Sequence, residues 1–215
     1  MPAPSFTSDR PVLRMRPKTD ARRIRHGFPW VYANEVVLDR RTKALAPGTL
    51  AILEDANRSP LGLVALNPLS KIVGRMLDRD PEASFDGTWF DARLERAMAL
   101  RDRLFDAPFY RLVHAEADGL PGVIIDRFGD LAVIQPNAAW AEAHLDVLAA
   151  SMQDITGVTH LIKNASGRTR ALEGLDDQTQ VLAGHMPTEP IAVPMNGASY
   201  MADIAGGQKT GLFFD

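Results

Sequence analysis

The chain has 215 residues, 46% apolar and 24% charged, which fits one large or two small folded domains and excludes a wholly disordered chain. Cysteine is absent, which excludes disulfides, thiolate metal sites and cysteine nucleophiles within these residues and makes a reduced, cytoplasmic setting the expectation. No apolar run reaches the ~18 residues of a membrane span, MPAPSFTSDR lacks a signal-peptide core, and the net charge of −3 divides unevenly: residues 1–80 hold 14 Lys+Arg against 8 Asp+Glu, residues 81–215 hold 10 against 19.

The basic excess concentrates in residues 10–43, with 10 basic and 3 acidic side chains. A basic block on an otherwise acidic chain points to a polyanion partner for that block.

Residues 1–9 read as a loose tail. In PVLRMR, Val12, Arg14 and Arg16 alternate with Leu13 and Met15, a short strand pattern. Lys18 to His26 reads as a helix capped by Thr19 or Asp20 and ended by Gly27. On such a helix Lys18, Arg22 and Arg25 would share a face, with Ala21 and Ile24 turned inward. Phe28–Tyr32 is aromatic and β-prone, and strand-length runs follow at Thr49–Leu53, Leu61–Leu66 and Lys71–Leu77. Residues 10–80 therefore read as a small β-barrel or curled sheet with one short helix.

Residues 81–88 read as a linker. Residues 89–106 read as an amphipathic helix with a stripe of Phe90, Leu94, Ala97, Met98, Leu104 and Phe105. Leu112–Ala115 reads as a strand, and Val123–Arg127 with Leu131–Gln135 as a hairpin around Phe128-Gly129-Asp130. A helix is expected over 139–155, ended by Gly157, then short strands at 158–163, 169–172, 179–182, Ile191–Val193 and Ala198–Ile204. The fold class is α+β, with residues 89–196 forming a central α+β domain. The chain stops at GGQKTGLFFD inside a patterned segment, which reads as a cut rather than a natural end.

Three motifs carry candidate chemistry. The first is the basic block: Arg10, Arg14, Arg16, Lys18, Arg22, Arg23 and Arg25 stand beside Phe28, Trp30 and Tyr32. Cations meet phosphates and aromatic faces meet unstacked bases, so the pattern suits RNA. The same residues also suit a solvated helix face beside a core tryptophan, and Trp30 alone reads first as core. The candidate RNA-binding set is Arg14, Lys18, Arg22, Arg23, Arg25 and Trp30.

The second motif is His114-Ala-Glu116-Ala-Asp118-Gly119-Leu-Pro121-Gly122. On a strand Glu116 and Asp118 would share a face and could do acid–base or metal work. No second histidine stands nearby, and DGLPG reads better as a glycine-dependent turn with Asp118 accepting backbone N–H bonds. The third motif, Gly206-Gly207-Gln208-Lys209-Thr210-Gly211, is no phosphate loop, because Gln208 and Asp203 stand where its two glycines must be.

HAEADGLPGVIIDRFGDLAVIQ, followed by YMADIAGGQKTGLFFD and preceded by RHGFPWVYANEV, resembles a bacterial family: the S-adenosylmethionine-dependent 23S rRNA (cytosine-5) methyltransferases with an N-terminal PUA domain. The resemblance runs from about residue 11 to 215 and rests on E-x-D-G-L-P-G-x-x-x-D-R together with G-x-K-T-G-x-x-x-D. It implies a PUA-like RNA-binding domain at 10–80, a central domain at 89–196 and the start of a Rossmann-like methyltransferase domain at 197–215, most of which is absent here. It places Lys209, Thr210, Gly211 and Phe213 near the cofactor. It implies S-adenosylmethionine as the parent's cofactor, with no tight binding to this chain, and RNA, ribosomal RNA in particular, as its partner. The family chemistry needs a cysteine thiolate to attack cytosine C6, so no catalytic residue is expected among these 215. The alternative is a stand-alone RNA-binding adaptor without catalytic activity. A small hydrolase using His114, Glu116 and Asp118 is a distant third. No metal and no membrane partner is expected.

Overall fold

The computed structural model describes residues 9–195 and 197–206. Lys209, Thr210, Gly211, Phe213 and nearly all of the expected tail lie outside them. The chain divides into two compact units, Met1–Ser84 and Phe85–Asp215.

The first unit is a five-stranded curled sheet made of β1 (Val12–Arg14), β2 (Trp30–Tyr32), β3 (Thr49–Glu54), β4 (Pro60–Leu66) and β5 (Ile72–Asp78), in the order β1-β3-β4-β5-β2. β1 runs parallel to β3, and the other neighbours are antiparallel. The two ends of the sheet meet: Met15 bridges Val36, Arg16 N–H donates to the Glu35 carbonyl and Val37 N–H to the Arg14 carbonyl, both at 2.8 Å. Inside lie Leu13, Met15, Ile24, Val31, Val36, Leu53, Val64 and Leu66, all buried in one cluster.

The first helix is shorter than the pattern predicts. α1 spans Arg22–Arg25. Thr19 N–H donates to the Arg16 carbonyl at 3.2 Å, and Lys18 has φ of 70°. Proline second and a positive φ third is the type II turn arrangement. Lys18 thus belongs to a turn, and the predicted shared face of Lys18, Arg22 and Arg25 does not form. Asp20 still serves the helix start, accepting the Arg22 N–H at 3.0 Å, and Gly27 ends it with φ of 99°. A further turn of helix, α2 (Arg40–Lys43), was not expected; Asp39 caps it by accepting from Thr42 N–H at 2.8 Å.

The second unit opens with α3 (Gly87–Arg101), capped by Asp86. Leu104 and Phe105 lie beyond its end and are exposed, so they are not part of its apolar stripe. A second sheet has the order β10-β9-β8-β7-β6, from β6 (Phe109–His114), β7 (Val123–Phe128), β8 (Leu131–Pro136), β9 (His160–Lys163) and β10 (Gln180–Ala183). Only β8 and β9 pair in parallel, which requires a crossover; α4 (Ala139–Ala143) and α5 (Leu145–Thr156) provide it. The predicted single helix breaks at His144, whose ring contacts the Trp140 carbonyl at 2.8 Å. The expected strand at 169–172 is instead α6 (Arg168–Glu173). Arg-Ala-Leu-Glu are good helix formers, and Gly174 closes them in the left-handed conformation.

One sheet face meets helices: Arg127 reaches the Thr156 carbonyl at 2.9 Å and the Met98 sulfur at 4.0 Å. The other face carries Phe128, Leu131, Val133 and Ile162 against Val193, Ala202 and Ile204 of a separate hairpin, β11 (Ile191–Met195) and β12 (Ala198–Ala202). The fold class is α+β, as expected.

Gly62 is the tightest backbone position of the first sheet. Its φ is 143°, and a Cβ there would overlap the Asp78 carbonyl on β5. Gly62→Ala is expected to destabilise the first unit by at least about 2 kcal/mol. Urea unfolding followed by tryptophan fluorescence tests this; an unchanged midpoint would contradict it.

Candidate nucleic-acid interface

The basic block becomes a seam on the first unit. Leu13 and Met15 point inward, so Val12, Arg14 and Arg16 point outward along the joined sheet edges. On β2 the buried residue is Val31, with Trp30 and Tyr32 half-buried on either side of it, and Phe28 packs partly against the core. Phe28 meets Trp30 edge-on at 6.1 Å between ring centres and Tyr32 at 6.4 Å. Trp30 is half-buried and lies opposite the buried Arg75 on β5. The Arg23 guanidinium lies over the Phe28 ring at 4.3 Å.

Acidic partners hold these arginines, and the sequence pattern did not identify them. Arg14 pairs with Glu54 at 3.1 Å, Arg22 with Asp20 at 3.1 Å, Arg23 with Glu35 at 2.9 Å and Arg25 with Asp55 at 2.5 Å. Glu35 has two tasks: one oxygen holds Arg23 and the other accepts the Tyr32 N–H at 2.9 Å. At Asp55 burial works against the charge, but the N–H groups of Ser59 and Asn57 and the Arg25 guanidinium outweigh it and leave the carboxyl below its ordinary range. The Arg22 backbone N–H, then its side chain, lowers Asp20. Lys18 is exposed in its turn. Arg16 keeps Nε on the Val36 carbonyl at 2.8 Å and is otherwise exposed.

The predicted RNA-binding residues therefore sit on one unit but in different local settings. Arg14 lies on the seam, Arg22, Arg23 and Arg25 on α1, Lys18 in the turn before it and Trp30 on β2. Sequence spacing carries no cap signal for Glu35, because the residue three before it is Tyr32 rather than Ser or Thr; the bond from Tyr32 N–H to the Glu35 carboxylate at the 3₁₀ turn Ala33–Glu35 is seen only in the fold.

The second motif is structural. Asp118 closes a 3₁₀ turn, Ala115–Asp118, so Glu116 and Asp118 are not on a strand. Arg101 grips Asp118 with both nitrogens, at 2.6 and 2.8 Å, and Asp118 also accepts the His114 N–H at 2.6 Å. Among the described residues no group of three His, Cys, Asp or Glu could hold a metal. Gly119 and Gly122 adopt positive φ, and the Pro121 carbonyl accepts from the Trp140 indole at 2.9 Å. Sequence reasoning missed a second buried charge group: Arg170 is 1% exposed and bonds the Pro136 carbonyl, Glu142 and Asp176, while Lys163 also reaches Glu142. Buried cations persist only when paired in this way.

Residues 13–79 match a family described as a PUA-like domain. The first unit thus has the class of fold expected for it. A ribosomal RNA large subunit methyltransferase I from Alteromonas mediterranea is 35% identical over 204 residues, covering 94% of this chain and 50% of its own length. A ribosomal RNA large subunit methyltransferase from Deinococcus radiodurans is 34% identical over 227 residues, covering 100% of this chain and 54% of its own. The chain spans about half the length of the curated relatives it matches. Its fold is similar to a solved chain from Streptococcus mutans described as a candidate SAM-dependent methyltransferase, with TM-score 0.77 and 18% identity over 95% of this chain and 51% of that one. A second candidate methyltransferase, solved with SAH, gives TM-score 0.75 and 17% identity over 95% and 50%. No helix among the described residues is long and apolar enough to cross a membrane.

Two substitutions test these assignments. Glu35→Ala should cost about 1–2 kcal/mol, since Tyr32 N–H and Arg23 both lose their partner, whereas Glu35→Gln should cost less because its amide oxygen still accepts from Tyr32. Equal denaturation midpoints for the two variants would contradict the double role. Asp118→Asn should cost about 3 kcal/mol by leaving the Arg101 charge nearly buried and uncompensated; a calorimetric melting point within a degree or so of wild type would contradict a structural Asp118.

Proposed function

We propose that this chain is the RNA-recognising part of an S-adenosylmethionine-dependent rRNA (cytosine-5) methyltransferase, working in the cytoplasm, and that it transfers no methyl group by itself. One observation carries the reading: relatives named large subunit rRNA methyltransferases align with 94% to 100% of this chain at 34–35% identity, and the chain spans about half of them. The outward cations and aromatic rings of the PUA-like unit support RNA as its ligand.

S-adenosylmethionine, when bound to the whole enzyme, supplies an electrophilic methyl group. Lys209, Thr210, Gly211 and Phe213 are proposed to lie close to it, at the opening of the cofactor domain that starts near residue 197. The nucleophile is proposed to stand in the other half of the enzyme, since these residues include no cysteine. What this chain contributes is binding and orientation. Arg14, Arg23 and Arg25 are held at fixed positions by their carboxylates, so they present guanidinium edges to phosphate with little further ordering. The half-buried rings of Trp30 and Tyr32 are proposed to offer faces for an unstacked base, beside the Phe28 ring that Arg23 covers.

The test uses the 215-residue chain with large-subunit rRNA and radiolabelled S-adenosylmethionine. Expected are salt-sensitive RNA binding, no methyl incorporation, and at least about tenfold weaker binding at low salt for Lys18→Glu/Arg22→Glu, whose side chains are exposed. Methyl transfer by the chain alone would overturn the division of labour, and salt-independent binding would overturn the interface.

A further inference from the structure

We propose that α2 is a second phosphate-contacting element, so that an RNA backbone follows the sheet seam from α1 to α2. This rests on the RNA-binding reading of the first unit and extends it to residues outside the predicted set.

The cations divide into two groups. Arg14, Arg22, Arg23 and Arg25 each already have a carboxylate within 3.1 Å, so a phosphate there must share the cation with an internal anion. Arg40, Arg41 and Lys43 differ. All three are exposed, and none of their side chains has a hydrogen bond or ion pair with a described residue. The nearest acid, Asp39, is occupied by the helix itself: it accepts from Thr42 N–H at 2.8 Å and from the Thr42 hydroxyl at 2.9 Å. These bonds lower its pKa, with a small contribution from the Arg41 charge. Three cations without an ion-paired carboxylate among the described residues thus stand within four residues. Thr42 is buried and Leu38 and Leu45 pack on the core, which anchors the short helix and leaves its basic side chains outside.

The topology aligns this cluster with the seam. Residues 35–37 run antiparallel to residues 14–16, Arg16 opposite Glu35 and Arg14 opposite Val37. One strand leaves the Arg16 end and turns into α1; the other leaves the Arg14 end and enters α2 three residues after Val37. The two helices therefore continue from opposite ends of the same seam. Residues 12–16 span about 13 Å, room for about two nucleotides of a single strand. Between the helices the outward residues are Arg14 and Arg16, with Val12 and Val37 exposed at 43% and 45%. Nothing acidic on the seam is free: Glu54 is paired with Arg14 and Glu35 with Arg23.

The experiment measures binding of the full chain to a fluorescent oligouridylate of about 20 nucleotides across a salt series. Arg40→Gln/Arg41→Gln/Lys43→Gln is compared with wild type and with Lys18→Gln/Arg22→Gln. Three lost phosphate contacts should reduce the slope of log K against log salt by about 2 and weaken binding at least about tenfold at low salt. Wild-type slope and affinity in the α2 variant, with Lys18→Gln/Arg22→Gln impaired, would overturn the α2 assignment alone. No binding by wild type would overturn both this inference and the RNA-binding reading. Circular dichroism melts confirm that each variant is folded, and Lys43→Glu alone provides a single-site check, expected to weaken binding more than Lys43→Gln.

Discussion

Two backbone hydrogen bonds, from Arg16 N–H to the Glu35 carbonyl and from Val37 N–H to the Arg14 carbonyl, join the ends of the first sheet, and much of this unit depends on them. An open sheet of these strands would leave its terminal N–H and C=O groups unpaired. With the ends joined, Leu13, Met15 and Val36 are enclosed as core and Arg14 and Arg16 are fixed outside. The same junction sets the position of Glu35, whose carboxylate holds Tyr32 N–H and Arg23 together. The proposed RNA surface is therefore a consequence of how the sheet closes.

Electrostatics gives the two units different characters. The first exposes a basic seam whose arginines are held in place by Glu35, Glu54 and Asp55. Such pairs add little stability when exposed, but they restrict where a guanidinium can go. The second holds buried charges in pairs: Arg101 with Asp118, Arg111 with the fully buried Asp126, and the buried Arg170 with the partly buried Glu142 and the exposed Asp176. Here the pairs fix the DGLPG turn and the segment after the parallel strand pair. The DGLPG motif, read from sequence as a glycine-dependent turn, is held by a clamp in which Asp118 accepts from one arginine and one backbone N–H.

Much of the strand pattern was legible because period-two alternation and turn residues are local signals. β3, β4, β5 and the β7–β8 hairpin fall within a residue or two of the positions the pattern gives. Helices were harder. Helical spacing at Lys18, Arg22 and Arg25 looked like a basic face, but Pro17 and the positive φ of Lys18 turn the chain first. Residues 169–172 looked β-like, yet Arg170 is drawn inward to Glu142 and Asp176, partners distant in sequence or across a loop. Residue type brought Arg23 and Phe28 together in one basic, aromatic block, and the two do stack. It could not reveal which cations are already neutralised, because Glu35, Glu54 and Asp55 are 12 to 40 residues from their arginines. Arg40, Arg41 and Lys43 counted in the basic block, but only the fold shows that they lie past one end of the seam.

The central claim is that the outer face of the first unit holds single-stranded RNA. Ultraviolet crosslinking of the chain to large-subunit rRNA, with crosslinked peptides read by mass spectrometry, tests it most directly. The account predicts adducts on the peptides carrying Phe28, Trp30 and Tyr32, competed away by salt. Adducts confined to residues 85–206 would contradict it.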